Sequence, residues 1–160
     1  MKKYFEKIKK TNHRQVEFGK LLGLDFSGLS VRVSLAMLKE ITERDFNGME
    51  LKMATEKQIT LGKKFDLNFS NLTVGVASAH IKDILEALNF KSIEEQNIKS
   101  GDCVVNKYDK SGKEHIVSSI GKEAYLYFKK SGGGAARHMI KINRDLIKNI
   151  FAKYSKLIEV

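Results

Sequence analysis

Four histidines and one cysteine are the residue types in this chain most often recruited for chemistry. His13, His80, His115 and His138 stand 67, 35 and 23 residues apart. No pair has the i, i+4 spacing of a helix or the i, i+2 spacing of a strand that offers two imidazoles to one metal ion. Cys103 lies beside Val104 and Val105, which reads as a small buried hydrophobe, because nothing adjacent in sequence lowers its thiol pKa. Glu94-Glu95 and the Glu40/Glu43 pair fall on polar stretches, where solvated faces explain them. No G-x-x-x-x-G-K-[ST] phosphate loop and no G-x-S-x-G nucleophile turn is present. The expectation is a protein without enzymatic activity, metal or cofactor.

Two other constellations suit binding. Gly132-Gly133-Gly134, followed by Arg137 and His138, offers bare amides to a phosphate, or else forms a mobile hairpin loop; the loop is favoured over nucleotide binding, while a backbone contact to DNA or RNA stays open beside it. In the stretch from Ala124 to Lys129, a strand that buries Ala124, Leu126 and Phe128 sends Tyr125, Tyr127 and Lys129 to the other face. Lys107, Tyr108, Lys110, Lys113, Lys130, Arg137 and Lys141 fall nearby in the same predicted sheet. Cations that hold phosphates and exposed rings that stack on bases are the means by which sheets grip single strands and RNA. The competing reading has the tyrosines covered by the C-terminal helix.

Charge points the same way. The 160 residues carry 29 basic and 19 acidic side chains, net +10. Residues 1–98 hold 16 basic and 13 acidic, and residues 99–160 hold 13 and 6. The excess is therefore concentrated in the shorter part, which suggests a polyanionic partner. A single cysteine excludes a disulfide framework. No apolar stretch approaches the roughly 20 residues that span a bilayer. The charged start, Met1-Lys2-Lys3-Tyr4-Phe5-Glu6, lacks the apolar core of a signal peptide. A cytoplasmic protein with no membrane partner is expected.

These side chains are positioned by two kinds of element. Shifting the chain by 43 residues aligns 14–41 with 57–84 without a gap, with Gln15/Gln58, Gly19/Gly62, Phe26/Phe69, Leu29/Leu72, Val33/Val76 and Ala36/Ala79 among the identities. Chance would give about two, so the unit is duplicated. Each copy, at about 11–45 and 54–88, reads as two helices. The first helix of copy one ends at Gly23, and its counterpart spans 56–65. After a loop with inward-pointing Phe26 or Phe69, Ser30 and Thr73 cap second helices over 31–43 and 74–88. A unit this small leaves its apolar stripe bare, so the copies should pack on each other or on the C-terminal part.

The residues Thr55-x-x-Gln58, then Leu72-Thr73, then Ala77-Ser78-Ala79-x-Ile81-x-Asp83-x-Leu85, resemble a short helical module of phage and mobile-element proteins. That module reads T-x-x-Q, a G-x-D turn, and an L-T-x-x-E-A-S helix ending in I-D-x-L-L. Copy two has Val76 where the module's Glu falls, and copy one keeps Gln15, Gly23-x-Asp25 and Leu29-Ser30. The resemblance implies a phage or mobile-element origin and assigns no catalytic residue.

Beyond residue 96 the periodicity shortens. Stretches 102–107, 114–120, 123–129 and 137–142 read as four antiparallel strands, with 109–113 as a hairpin turn and 131–136 as a loop. Ile98-Lys99-x-Gly101-Asp102-x-Val104 with this strand spacing resembles an SH3-like or KOW-like barrel. Asn143 caps a closing amphipathic helix over 144–157, with Leu146, Ile147, Ile150, Phe151, Tyr154 and Leu157 on one face. The expected architecture is α+β: a helical repeat region over 1–90 and a small β domain with a closing helix over 97–160. Its expected function is nucleic-acid binding through the basic, tyrosine-bearing sheet. The alternative is a counter-defence inhibitor of the anti-CRISPR type, which binds a nuclease or its ribonucleoprotein complex.

Overall fold

Asn12 and Thr55 each accept a hydrogen bond from the backbone N–H three residues on, and Gln15 and Gln58 reach back to the cap's own N–H. These matched capping boxes start α2 (His13–Leu21) and α4 (Glu56–Lys63). In the computed structural model, which describes residues 1–158, a four-residue helix α1 (Lys2–Phe5) precedes them. Both helices end the same way. Leu24 and Leu67 donate back to the carbonyls of Gly19 and Gly62, around left-handed residues Gly23 (φ 74°) and Asp66 (φ 59°). This is the paired-bond stop that a left-handed residue permits. Ser30 and Thr73 cap α3 (Val31–Ile41) and α5 (Val74–Gln96), as expected.

The ring of Phe26 lies against Gly19 and that of Phe69 against Gly62. A Cβ on either glycine would sit 2.7 or 2.8 Å from the ring, which explains why both positions are glycine. Matched isolated bridges, Lys10↔Ser30 and Met53↔Thr73, tie the segment entering each unit to its own cap.

The two copies pack on each other through equivalent residues. Val33, Ala36 and Leu29 of the first meet Val76, Ala79 and Leu72 of the second in one apolar cluster. Arg32 reaches across to Asp83 (2.5 Å) and Glu86 (3.0 Å). A second cluster, around Phe69, Ala77 and Ile84, takes in Phe5 from α1. The copies diverge after α3, which runs into a π-helical turn, Thr42–Phe46.

The chain divides into two compact units, residues 1–88 and the part from Asn89 onward. The second contains the last turns of α5, which extends to Gln96 rather than ending at Leu88. Asn89, Ser92 and Gln96 line one side of those turns and bond the backbone of the sheet region at Glu123, Ala136, Arg137, Met139 and Lys141. Among the described residues the sheet has five strands: β1 (Cys103–Asn106), β2 (Glu114–Ile120), β3 (Tyr125–Phe128), β4 (Gly133–Ala135) and β5 (Met139–Lys141). All pairings are antiparallel, in the order β4-β3-β2-β1-β5. The fold is thus α+β, with five strands in place of the expected four. The fifth comes from the glycine run: Gly133 and Gly134 pair with Tyr127 and Leu126 and are not a free loop. The expected strand 137–142 shortens to β5, because Ala136–His138 forms a single 3₁₀ turn. Ile98, Val104, Val117, Leu126, Ala136 and Met139 form the core of this unit, with Ile93 and Phe128 packed against it.

A C-terminal helix forms, α6 (Arg144–Ile158), capped by Asn143. It does not close the sheet with its apolar face: Leu146, Ile150, Phe151 and Tyr154 are all exposed. The expected face positions Ile147 and Leu157 lie outside the described side chains.

Candidate nucleic-acid interface

Strand β3 alternates as its sequence requires. Leu126 is in the core, while Tyr125 and Tyr127 are 37% and 48% exposed on the opposite face. Two consecutive left-handed residues, Glu123 (φ 58°) and Ala124 (φ 54°), turn the chain into this strand. This conformation is uncommon for side chains with a Cβ. Burial of Ala124 and a hydrogen bond from the Asn89 amide to the Glu123 carbonyl (3.0 Å) hold it in place.

The two tyrosine rings meet edge to face, with centroids 5.3 Å apart. Each has a glycine beneath it: a Cβ on Gly133 would come within 2.5 Å of Tyr125, and one on Gly121 within 2.3 Å of Tyr127. The glycine signal that reads as loop flexibility is thus partly a floor for an aromatic platform. With the C-terminal helix in place, both rings remain half-exposed.

Lys129 and Lys130 are exposed in the turn after β3, closed by the Phe128 N–H donating to the Gly132 carbonyl (3.0 Å). The Lys129 N–H bonds the Ile116 carbonyl, so this turn lies toward the start of β2. The β1–β2 turn leads into that same end of β2 and carries exposed Lys107, Tyr108, Lys110 and Lys113. Asp109 sits in this turn but is engaged by the Ser111 hydroxyl and N–H, which hold its carboxyl below the usual range. Lys107 Nζ lies 5.1 Å from the Tyr108 ring centre, and Tyr108 packs edge-on to His138 at 5.2 Å.

The remaining two expected contact residues make bonds within the fold. The Arg137 backbone N–H and guanidinium both donate to Asn89 Oδ1, each at 3.2 Å. Lys141 Nζ pairs with Asp102 at 2.9 Å and donates to the Asn97 carbonyl, also at 2.9 Å. Partial desolvation works against the Asp102 carboxylate, yet Lys141 and the Lys99 N–H hold it below its usual pKa. Both cations are therefore already engaged within the fold, which alternation and composition alone do not reveal.

Three of the four histidines stack on or pack against a ring: His80 on Phe69, His115 on Phe128 and His138 on Tyr108. Among the described residues no three His, Cys, Asp or Glu side chains gather as metal ligands. Burial, then the neighbouring Glu114, pushes the Cys103 thiol up despite the nearby Arg144. No described helix is long and apolar enough to cross a membrane.

Another surface escapes a reading by motif. Leu21, Phe18 and Leu35 of the first repeat are 85%, 51% and 58% exposed. The second repeat carries Lys64, Leu61 and Ser78 at those positions. Ser78 there accepts a hydrogen bond from Gln58 (3.0 Å). In the first repeat, Phe18, Leu35 and Leu38 instead line a groove of about 230 Å³ with Arg14 at its edge.

Compared with known families, curated proteins and solved structures, the chain matches none.

Proposed function

We propose that the protein is a non-enzymatic accessory factor that binds nucleic acid, with Tyr125 and Tyr127 stacking on bases. Lys129, Lys130 and the Lys107–Lys113 turn meet the phosphates. The observation that carries this reading is the exposed tyrosine pair on its glycine floor. Two neighbouring exposed rings keep apolar surface in water that burial against a ligand would favourably remove, and each has a π-face that any base can use. The return of β5 beside β1 supports an SH3-like reading of the sheet, and the sequence resemblance supports a phage or mobile-element setting. Fluorescence anisotropy with single-stranded and duplex oligonucleotides tests the proposal. Tyr127→Ala should weaken single-strand binding by roughly 1–3 kcal/mol and duplex binding less; an equal loss on both would remove the stacking role.

A second reading, an anti-CRISPR-type inhibitor that grips a nuclease or its guide complex, is favoured by the first repeat's apolar side. The duplicated scaffold tolerates lysine and serine at those positions, so folding alone does not require the leucines. Replacing Leu21→Lys and Leu35→Ser installs the second repeat's own residues. If nuclease-resistant capture of a ribonucleoprotein partner is lost in this variant while oligonucleotide binding persists, the inhibitor reading gains. If capture disappears on nuclease treatment, it fails.

A further inference from the structure

The apolar side of α6 has no covering partner among the described residues. Leu146, Ile150, Phe151 and Tyr154, spaced i, i+4, i+5 and i+8, lie on one side of the helix and are 55%, 44%, 68% and 61% exposed. Among the described side chains, the remaining circumference carries Arg144, Lys148 and Lys153 against a single acid, Asp145. The first turn is fixed to the sheet: Asn143 caps it and Arg144 pairs with Glu114. From Leu146 outward the helix presents one greasy and one cationic side to solvent.

We propose that α6 lies on an anionic lipid surface, apolar side down, as a peripheral anchor. Fifteen residues with several charges cannot span a bilayer. A strongly amphipathic helix with Lys on its polar side and Leu, Ile and Phe on the other is suited to the plane of the headgroups. Charge decides the occupant. At about 100° per residue, Lys153 borders Leu146 and Lys148 follows Phe151 around the helix, so a cation stands at each edge of the apolar arc. A second copy packed on that arc would bring these edge cations together, whereas anionic headgroups neutralise them, each cation near the surface adding about five-fold in affinity. Nucleic acid would satisfy the lysines and leave the four apolar side chains in water.

Flotation of the full chain with vesicles of phosphatidylcholine, with and without phosphatidylglycerol, tests this. The protein should float with the anionic vesicles and far less with the neutral ones. Ile150→Glu with Phe151→Glu should lower anionic-vesicle binding about ten-fold or more, while oligonucleotide binding stays at the wild-type level. Lys148→Glu with Lys153→Glu, which keeps the apolar side, should lower it about as much. Three results overturn the proposal: no flotation with anionic vesicles; flotation insensitive to both pairs of substitutions, which would place lipid binding on the sheet's cations; or a dimer in light scattering that only Ile150→Glu with Phe151→Glu dissociates, which would make a second copy the occupant.

Discussion

His80 lies nearly flat against Phe69, with ring centroids 5.5 Å apart. Burial lowers its pKa below the usual 6.5, with Asp83 opposing and Lys10 adding to the effect. The folded protein therefore prefers the neutral ring, and the unfolded chain takes up the proton first as pH falls. Stability from this site is complete above about pH 6.5 and is lost as pH drops below it. The first repeat has Met37 at the equivalent position, so His80→Met removes the titration and keeps a side chain this scaffold already accepts. Thermal melts should show a smaller loss between about pH 7.5 and 5.5 in His80→Met than in the wild type. Some loss should remain, because burial, then Arg137 and Lys107, lower the pKa of His138 too. An identical loss in both proteins would contradict the assignment.

Each repeat is a ring plugged into a helix turn, and the duplication makes that arrangement measurable twice. Phe26 and Phe69 are each 1% exposed, so Phe26→Ala and Phe69→Ala should each cost about 3–5 kcal/mol in denaturant melts. Gly19→Ala and Gly62→Ala should each cost about 1–3 kcal/mol by overpacking. Gly62→Ala should be the worse, since its Cβ also meets the Leu67 carbonyl at 2.9 Å. Equal and near-neutral effects would mean that the rings move aside freely. These helices were legible because their identities mark the packing positions and because Ser30 and Thr73 are capping residue types. The fifth strand was not legible, since Gly133 and Gly134 have no strand propensity of their own; pairing with β3 and the tyrosine above Gly133 decide it. Nor did the sequence mark Asn89, Ser92 and Gln96 as the side of α5 that satisfies sheet backbone, because solvated and hydrogen-bonded polar faces read alike. For α6 the amphipathic pattern was plain, but periodicity does not say what covers an apolar face.

At the scale of the whole molecule, the +10 charge predicts an attraction to polyanions, and the structure narrows which cations are available to act on it. Arg137 and Lys141 are held within the fold, and Lys129 and Lys130 are exposed in the turn that follows the tyrosine-bearing strand. Strand alternation made the tyrosines legible, and only the structure separates the occupied cations from the free ones. The most direct test is the salt dependence of single-strand binding by the wild type and by Lys129→Ser with Lys130→Ser, followed by fluorescence anisotropy. Wild-type affinity should fall linearly on a log–log scale as salt rises, and the double variant should bind more weakly with a slope flatter by about one to two units. Absence of wild-type binding at low salt, or a double variant with the wild-type affinity and slope, would contradict the account.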